Sequence, residues 1–377
     1  MNIIYKKYIN RFIRTRQGPI WDKLHLDYML LICVLALTVF GLFLLFSASN
    51  EATGVMSKQI IRLSLALVIM FVLAQIPPHK YYHAAPWLFI IGIGLLITVL
   101  IIGHIGKGAQ RWLTIGLFRF QPSELMKIIL PIMLAWLFSN KPLPPSKSLI
   151  GMALIIIIIP TLLTAKQPDL GTAIVIALAG LSVLFLSGIR WRYIISTMII
   201  CLLAAPILWH ILHGYQQQRI LTFLNPERDP LGTGYHIIQS KIAIGSGGIF
   251  GKGWLQGTQS HLQFLPEHAT DFIFGVCGEE LGLIGCIALI LLYLVIVIRG
   301  LTISTNAQDT FTRLLAGSLT ISFFLSFFIN IGMVTGILPV VGLPLPMISY
   351  GGTAVLINLA TFGILMSIHT HRKLLPG

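Results

Sequence analysis

The chain has 377 residues, 56% of them hydrophobic and only 10% charged, with a mean hydropathy of +0.87, where soluble domains carry roughly 25% charged residues. That excludes a water-soluble fold and leaves an integral membrane protein. The formal net charge of +14 would suggest nucleic acid in a soluble chain, but in a chain that crosses a membrane repeatedly basic residues report orientation, so no nucleic-acid partner is expected.

Apolar runs close to the roughly 20 residues that cross a hydrocarbon core recur along the chain, separated by charged or Pro- and Gly-rich punctuation. The first, Tyr28 to Phe46, follows a basic tail (Lys6, Lys7, Arg11, Arg14, Arg16, Lys23). It is too long for a signal-peptide core and too many spans follow it, so it reads as an uncleaved first helix. Ten spans are predicted, at 27–48, 58–76, 84–103, 123–139, 147–164, 170–187, 193–210, 272–298, 311–336 and 350–369. The fold class is therefore an all-α integral membrane protein of about ten transmembrane helices forming one membrane domain. A basic tail occupies 1–26, helices 1 to 7 fill 27–210, a large extracytoplasmic loop spans 211–270, helices 8 to 10 fill 271–370, and a short tail covers 371–377.

With the N-terminus in the cytoplasm, the inner segments hold the larger share of the 26 Lys and Arg, as the positive-inside rule requires, and both termini are expected to be cytoplasmic. Nine of the twelve acids (Glu51, Glu124, Asp169, Glu227, Asp229, Glu267, Asp271, Glu279, Glu280) fall in outer loops or the spans beside them. The inner face is thus a basic rim, whereas the outer face mixes both signs, as a polar site for a charged ligand would. The four cysteines (Cys33, Cys201, Cys277, Cys286) lie inside apolar runs with no C-x-x-C and no His cluster at metal-ligand spacing, and read as packing residues.

Several stretches carry chemistry. Gln121-Pro-Ser-Glu-Leu-Met-Lys127 opens the fourth span with Glu124 and Lys127 on one helical face. Ionisable groups inside a span are costly and face polar cavities, so this pair is either structural or part of a headgroup site. Lys166-Gln-Pro-Asp-Leu-Gly-Thr172 is a tight outer turn in which Asp169 is placed to cap the sixth helix, with Lys166 and Asp169 also available to line a cavity.

The loop at 211–270 is long enough to be functional or disordered, and Tyr235 to Ile249 has the pattern of a short helix lying at the membrane surface. Gly245 to Gly253 lacks the Gly at 246 and the Ser or Thr at 253 that a phosphate-binding loop needs, which leaves tight turns or a nest of amides for a lipid pyrophosphate beside Lys252. Asp271 sits where this loop meets the eighth span, partly desolvated yet able to ionise, which suits a general base; Thr270 or Asp271 capping the helix is the plainer alternative. Glu279 and Glu280 lie about two turns deeper, and at least one needs a basic partner. Val334 to Thr353 breaks the end of the ninth span with Pro and Gly, backbone tolerated at a membrane edge where it lines a cavity.

Taken together, GAQRW (Gly108 to Trp112), QPSELMK, KQPDLGT, the loop from Asn225 to Phe274 and GILPVVGLPLPMISYGG (Gly336 to Gly352) closely resemble the SEDS family (shape, elongation, division, sporulation) of membrane-embedded peptidoglycan glycosyltransferases. The likeness runs from Asp27 to Ser367, and Asn225 to Ser260 is more similar to the elongation members than to the division members. The resemblance implies polymerisation of lipid II into β-1,4 glycan strands on the outer face of the bacterial inner membrane during cell elongation. It implies that Asp271, the aspartate of T-D-F, is the catalytic carboxylate, and carries over to Glu124, Lys127 and Asp169, whose motifs are intact. Where the family reads P-E-x-H-T-D-F this chain has Pro266-Glu-His-Ala-Thr-Asp-Phe272, which puts the histidine in doubt but not the aspartate.

A sugar held by a pyrophosphate needs cations more than a general acid. Arg111, Lys127, Lys166, Arg219, Lys241 and Lys252 are the outer-side candidates, with Glu280 supporting and a divalent ion, Mg2+ or Mn2+, as a further source of charge. No other cofactor is implied. The expected partners are lipid II, undecaprenyl-pyrophosphate-linked glycan and a class B penicillin-binding protein. The competing readings are a precursor flippase or transporter, which would place essential charges near the midplane and at both gates, the division-associated member of the family, and a non-catalytic scaffold.

Overall fold

In a computed structural model, residues 24–106, 109–115, 118–193, 214–228, 232–262, 264–265 and 267–371 are described, with isolated positions between 195 and 210. Helices α1 Tyr28–Ala48, α2 Thr53–Gln75 and α3 Pro78–Ile102 are followed by strands β1 His104–Gly106, β2 Ala109–Ile115 and β3 Phe118–Phe120. Then come α4 Pro122–Ser139, α5 Lys147–Lys166, α6 Leu170–Leu186, α7 Gly214–Leu224, a 3-10 turn at Pro226–Arg228, α8 Thr233–Ser246, α9 Thr258–His261, α10 Ile273–Thr305, α11 Thr310–Val334 and α12 Thr353–Thr370.

Eight of these helices are long and apolar enough to cross a membrane: α1 to α5 and α10 to α12. They coincide with eight of the ten predicted spans. The sixth span is the shorter apolar helix α6 of 17 residues; the seventh, at 193–210, lies largely outside the described residues. The basic tail at 1–23 and residues 372–377 also lie outside them.

Polar side chains start the helices. Asp27, Ser146, Asp169 and Asp309 each accept a hydrogen bond from an amide in the first turn of α1, α5, α6 and α11 respectively, satisfying donors that hydrocarbon cannot. Helices α4, α11 and α12 bury 72% of their spans, against 22% for α2 and α3, so the first three form the centre of the bundle and α2 and α3 its rim. Outward side chains on the rim, such as Ile61, Trp87 and Ile101, present an apolar surface of the kind lipid tails accept.

The all-α expectation needs one correction, because residues 104–120 form a small antiparallel sheet in the order β1-β2-β3. His104 pairs with Trp112 and Leu113 with Phe120. This stretch is too short to span a membrane, and pairing satisfies its backbone where helix would not fit.

At one end of the bundle a buried ion pair joins three helices. Asp27 caps α1 and accepts from Arg299 of α10, with Nη2 at 2.5 Å and Nε at 3.0 Å from Oδ2. His369 of α12 lies 3.4 Å from the same oxygen. Asp27→Ala strands the guanidinium and is expected to cost about 3–5 kcal/mol, read as a lower melting temperature of the detergent-solubilised protein. Asp27→Asn, which keeps the cap, should lose less.

Candidate active site

The loop predicted at 211–270 is folded over most of its described length. The expected surface helix at 235–249 is α8, Thr233–Ser246. It is docked rather than free: Ile237 and Ala243 are buried, the Ser240 hydroxyl donates to the Val334 carbonyl at 2.8 Å, and His236 stacks on Phe272 with ring centres 5.6 Å apart. This helix therefore braces the start of α10, where Asp271 sits.

Asp271 is half-buried and precedes Phe272, the N-cap position of α10, which has no side-chain cap. The Thr270 hydroxyl is spent on Glu267, at 2.7 Å from Oε2. The turn at 269–271 is pinned from outside. Tyr350 N–H donates to the Ala269 carbonyl at 2.9 Å, the Ser349 hydroxyl to the Thr270 carbonyl at 2.5 Å, and the Asn330 amide to the Asp271 carbonyl at 2.8 Å. Three successive carbonyls are thus fixed by side chains and backbone of α11 and of the segment 335–352. That segment is itself held by the Tyr293 hydroxyl on the Pro346 carbonyl at 2.5 Å and by Asn330 on the Leu343 carbonyl at 2.6 Å.

Gly342 lies beside the Asp271 carboxylate. Its φ of +73° suits glycine alone, and a Cβ there would lie 3.5 Å from Asp271 Oδ2. Gly342→Ala is expected to cost about 1–3 kcal/mol in backbone strain, since the added methyl would make only ordinary contact with the Asp271 carboxylate. The melting temperature checks this; an alanine variant as stable as the parent contradicts the strain.

Other predicted residues meet the same segment from the far side. Asp169 caps α6, and its Oδ2 accepts from Gln121 Nε2 at 2.7 Å. Arg111, delivered by β2, donates to the Pro168 carbonyl and lies 3.8 Å from Asp169 Oδ1. Three motifs far apart in sequence therefore form one network. Gln121 N–H reaches Thr353 Oγ1 at 3.4 Å, and Gly171 lies so close to the Val341 carbonyl that a Cβ would be 2.6 Å from it. One wall, 336–353, thus contacts both the Asp169 network and the Asp271 turn.

Lys127 and Glu124 form a pair at 2.6 Å, both nearly buried. Beside Lys127, Ser322, Ser326, Asn358 and Thr361 from α11 and α12 line a small cavity inside the bundle.

The glycine run settles into tight turns. Helix α10 breaks at Gly282, whose φ of +66° lies outside helix, leaving carbonyls and amides on both sides of the break. The run supplies their partners: Lys252 and Gly253 amides donate to the Glu279 and Glu280 carbonyls, each at 3.0 Å, while Leu283 and Ile284 amides donate to the Gly248 and Ile249 carbonyls. Those two amides are spent on α10 rather than presented to a pyrophosphate, which corrects the nest reading at Lys252.

The Lys252 ammonium is engaged as well. It lies 2.7 Å from Glu279 Oε1, and Glu279, fully buried, also accepts from Thr258 Oγ1 and the Gln259 amide. Glu280, equally buried, accepts from Ser47 Oγ at 2.5 Å and lies 3.3 Å from His261 Nε2. Both carboxylates thus clamp the loop that leads to Asp271, and the expected basic partner of at least one of them is Lys252.

Of the other candidate cations, Lys166 at the end of α5 and Lys241 on α8 are exposed and make no ion pair among the described residues. Lys241 extends over Gly336, its Nζ 2.7 Å from where a Cβ would be, at the start of the 336–353 wall. Arg219 is half-buried on α7. Among the described residues no three His, Cys, Asp or Glu side chains converge as metal ligands do. The supports that sequence reading missed are Gln121, Asn330, Ser349 and Tyr350. Gln121, Ser349 and Tyr350 lie inside motifs that carry the family resemblance, and Asn330 is an uncharged amide inside an apolar helix.

The chain matches the cell cycle protein family of FtsW, RodA and SpoVE over residues 27–374. It is 56% identical over 356 residues to the peptidoglycan glycosyltransferase MrdB of Escherichia coli K12, covering 94% of this chain and 96% of that one. It is 38% identical to a probable peptidoglycan glycosyltransferase FtsW of Trichlorobacter lovleyi, over 93% of this chain and 94% of that one. Among solved structures it is similar to a chain of a peptidoglycan synthase complex described for coordinating polymerization and crosslinking, with a TM-score of 0.80, 31% identity, and 91% of this chain and 97% of that chain covered. It is also similar to the rod shape determining protein RodA of Thermus thermophilus, with a TM-score of 0.70, 25% identity, and 92% and 98% covered. With a match that spans nearly all of its length and motifs that fold into one walled site, the chain belongs to the FtsW, RodA and SpoVE family, the SEDS proteins.

Proposed function

We infer that this chain is a peptidoglycan glycosyltransferase that polymerises lipid II at the outer face of the bacterial cytoplasmic membrane, with both termini cytoplasmic, in cell elongation. The observation that carries the reading is its 56% identity, across 94% of the chain, to a protein of that activity. The greater likeness to the elongation relative than to the division relative, 56% against 38%, supports the role in rod shape. A class B penicillin-binding protein is the proposed partner, supported by the similarity to a chain of a complex that couples polymerization to crosslinking.

In the proposed reaction the Asp271 carboxylate accepts the proton of the 4-hydroxyl of an incoming GlcNAc. That oxygen bonds to the anomeric carbon of the lipid-linked MurNAc, the bond from this carbon to the diphosphate breaks, and the lipid diphosphate leaves with the bonding pair. Attack opposite the leaving group inverts the centre and gives the β-1,4 linkage. A carboxylate fixed through its own and its neighbours' carbonyls meets the positional demand of a general base. Lys166 and Lys241, exposed and without carboxylate partners among the described residues, keep their charge available to a diphosphate.

The test is purified protein given lipid II, with and without its cognate penicillin-binding protein, and glycan strands resolved by length. Strand synthesis is expected. A chain that instead moves intact lipid II across vesicle membranes without joining sugars would support the flippase reading.

A further inference from the structure

The segment that pins the Asp271 turn also holds a cation that the proposed chemistry leaves unused. Arg62 lies on α2, and its guanidinium stacks on the ring of Tyr350 with Cζ 4.7 Å from the ring centre. It runs beside the backbone of Gly352, where a Cβ would come within 3.4 Å of Nε and 3.7 Å of Cζ. Arg62 is half-buried and makes no ion pair or hydrogen bond among the described residues. Neither α2 nor α12 contains an acidic residue. The ring lies over the guanidinium, and no hydrogen bond among the described residues engages its N–H groups. A cation held by a ring, and not by a carboxylate, keeps its full charge and its two-pronged donor edge for a ligand.

Its position is tied to the reacting carboxylate. The Tyr350 amide donates to the Ala269 carbonyl at 2.9 Å, and the Ser349 hydroxyl to the Thr270 carbonyl at 2.5 Å. Arg62 is therefore linked, through one aromatic ring and one hydrogen bond, to the turn that ends at Asp271. Helix α12 starts at the same place, with Gly352 at its N-cap and no side-chain cap, so the positive end of its dipole adds to the guanidinium. A guanidinium of this kind beside a helix start favours an acceptor with several anionic oxygens in a plane or fork, which a diphosphate supplies.

We propose that Arg62 binds the diphosphate of the polyprenyl-linked sugar, with Tyr350 holding the guanidinium in place. This rests on the glycosyltransferase reading. Arg62 contacts the non-bridging phosphate oxygens and takes no part in the proton transfer at Asp271.

In full-length purified protein, Arg62→Gln is expected to raise the KM for lipid II about ten- to a hundred-fold, the range for losing a charged hydrogen-bonded pair. In an Asp271→Asn background, where turnover is silenced, the same change should weaken binding of undecaprenyl diphosphate by a similar factor. Arg62→Lys keeps the charge but loses the fork and should recover only part of the affinity. Tyr350→Leu, which removes the ring, should follow Arg62→Gln. Phosphatidylglycerol supplies a second source of phosphate and should compete weakly; equal competition would make Arg62 a general lipid contact and overturn the proposal. Unchanged KM and unchanged undecaprenyl diphosphate binding in Arg62→Gln, in a preparation whose parent polymerises lipid II, would also overturn it while leaving the enzyme reading intact. Equal losses in Arg62→Gln and Arg62→Lys, with a lowered melting temperature, would mark a structural residue. A parent protein that neither polymerises lipid II nor binds undecaprenyl diphosphate would remove the enzyme reading itself.

Discussion

Asp271→Asn is expected to lower glycan-strand synthesis from lipid II by about 10²- to 10⁴-fold, the usual contribution of a positioned general base, while the protein stays folded. The second half of that expectation comes from the geometry. Every anchor named at this turn is made to a backbone carbonyl: Ala269, Thr270 and Asp271 accept from Tyr350, Ser349 and Asn330. An amide in place of the carboxylate leaves those three carbonyl bonds intact and keeps the side chain's shape. Ser349→Ala does the opposite. It frees the Thr270 carbonyl and the Leu345 amide but leaves the carboxylate, and is expected to lower turnover by less. An Asp271→Asn protein that polymerises at the parent's rate, with strand length read on a gel, would rule out this carboxylate as the base.

The second large effect is expected at the clamp. Lys252→Met leaves Glu279 fully buried with only Thr258 and the Gln259 amide as partners. An uncompensated buried charge of this kind costs about 3–5 kcal/mol, so the melting temperature should fall markedly. Adding Glu279→Gln removes the charge and should restore more than half of the loss, since the glutamine oxygen can still accept from Thr258 and Gln259. That recovery separates a buried pair from a loosely solvated one. A Lys252→Met protein as stable as the parent would show that water already screens Glu279. Because the clamped loop runs on to Glu267 and the Asp271 turn, synthesis should fall with stability in the single variant and recover with it in the double.

These two sites show why parts of the molecule were legible in the sequence and others were not. Hydrocarbon forces each spanning backbone to satisfy its own hydrogen bonds, so apolar runs alone locate helices, and eight predicted spans coincide with α1 to α5 and α10 to α12. Capping is equally local. Asp169 precedes the helix it caps by one residue, and Glu124 and Lys127 pair within a single helical turn. The small sheet escaped because its strands are only 3, 7 and 3 residues long, too short for alternation to stand out.

What the sequence by itself determined is eight spanning helices and the shorter α6, the acid at the end of a long loop and the motifs that carry the family resemblance, since the helices rest on the backbone's need for internal hydrogen bonds and the motifs on the order of residues alone. Only the tertiary structure decided how the loop is held. The glycine run serves the break at Gly282, a partnership between backbone groups about 30 residues apart that no side-chain pattern encodes. Likewise Asn330, Ser349 and Tyr350 reach the Asp271 turn across 59 to 81 positions of sequence. Nothing in their residue types specifies that partnership before the fold places two side-chain donors and one backbone amide against its carbonyls.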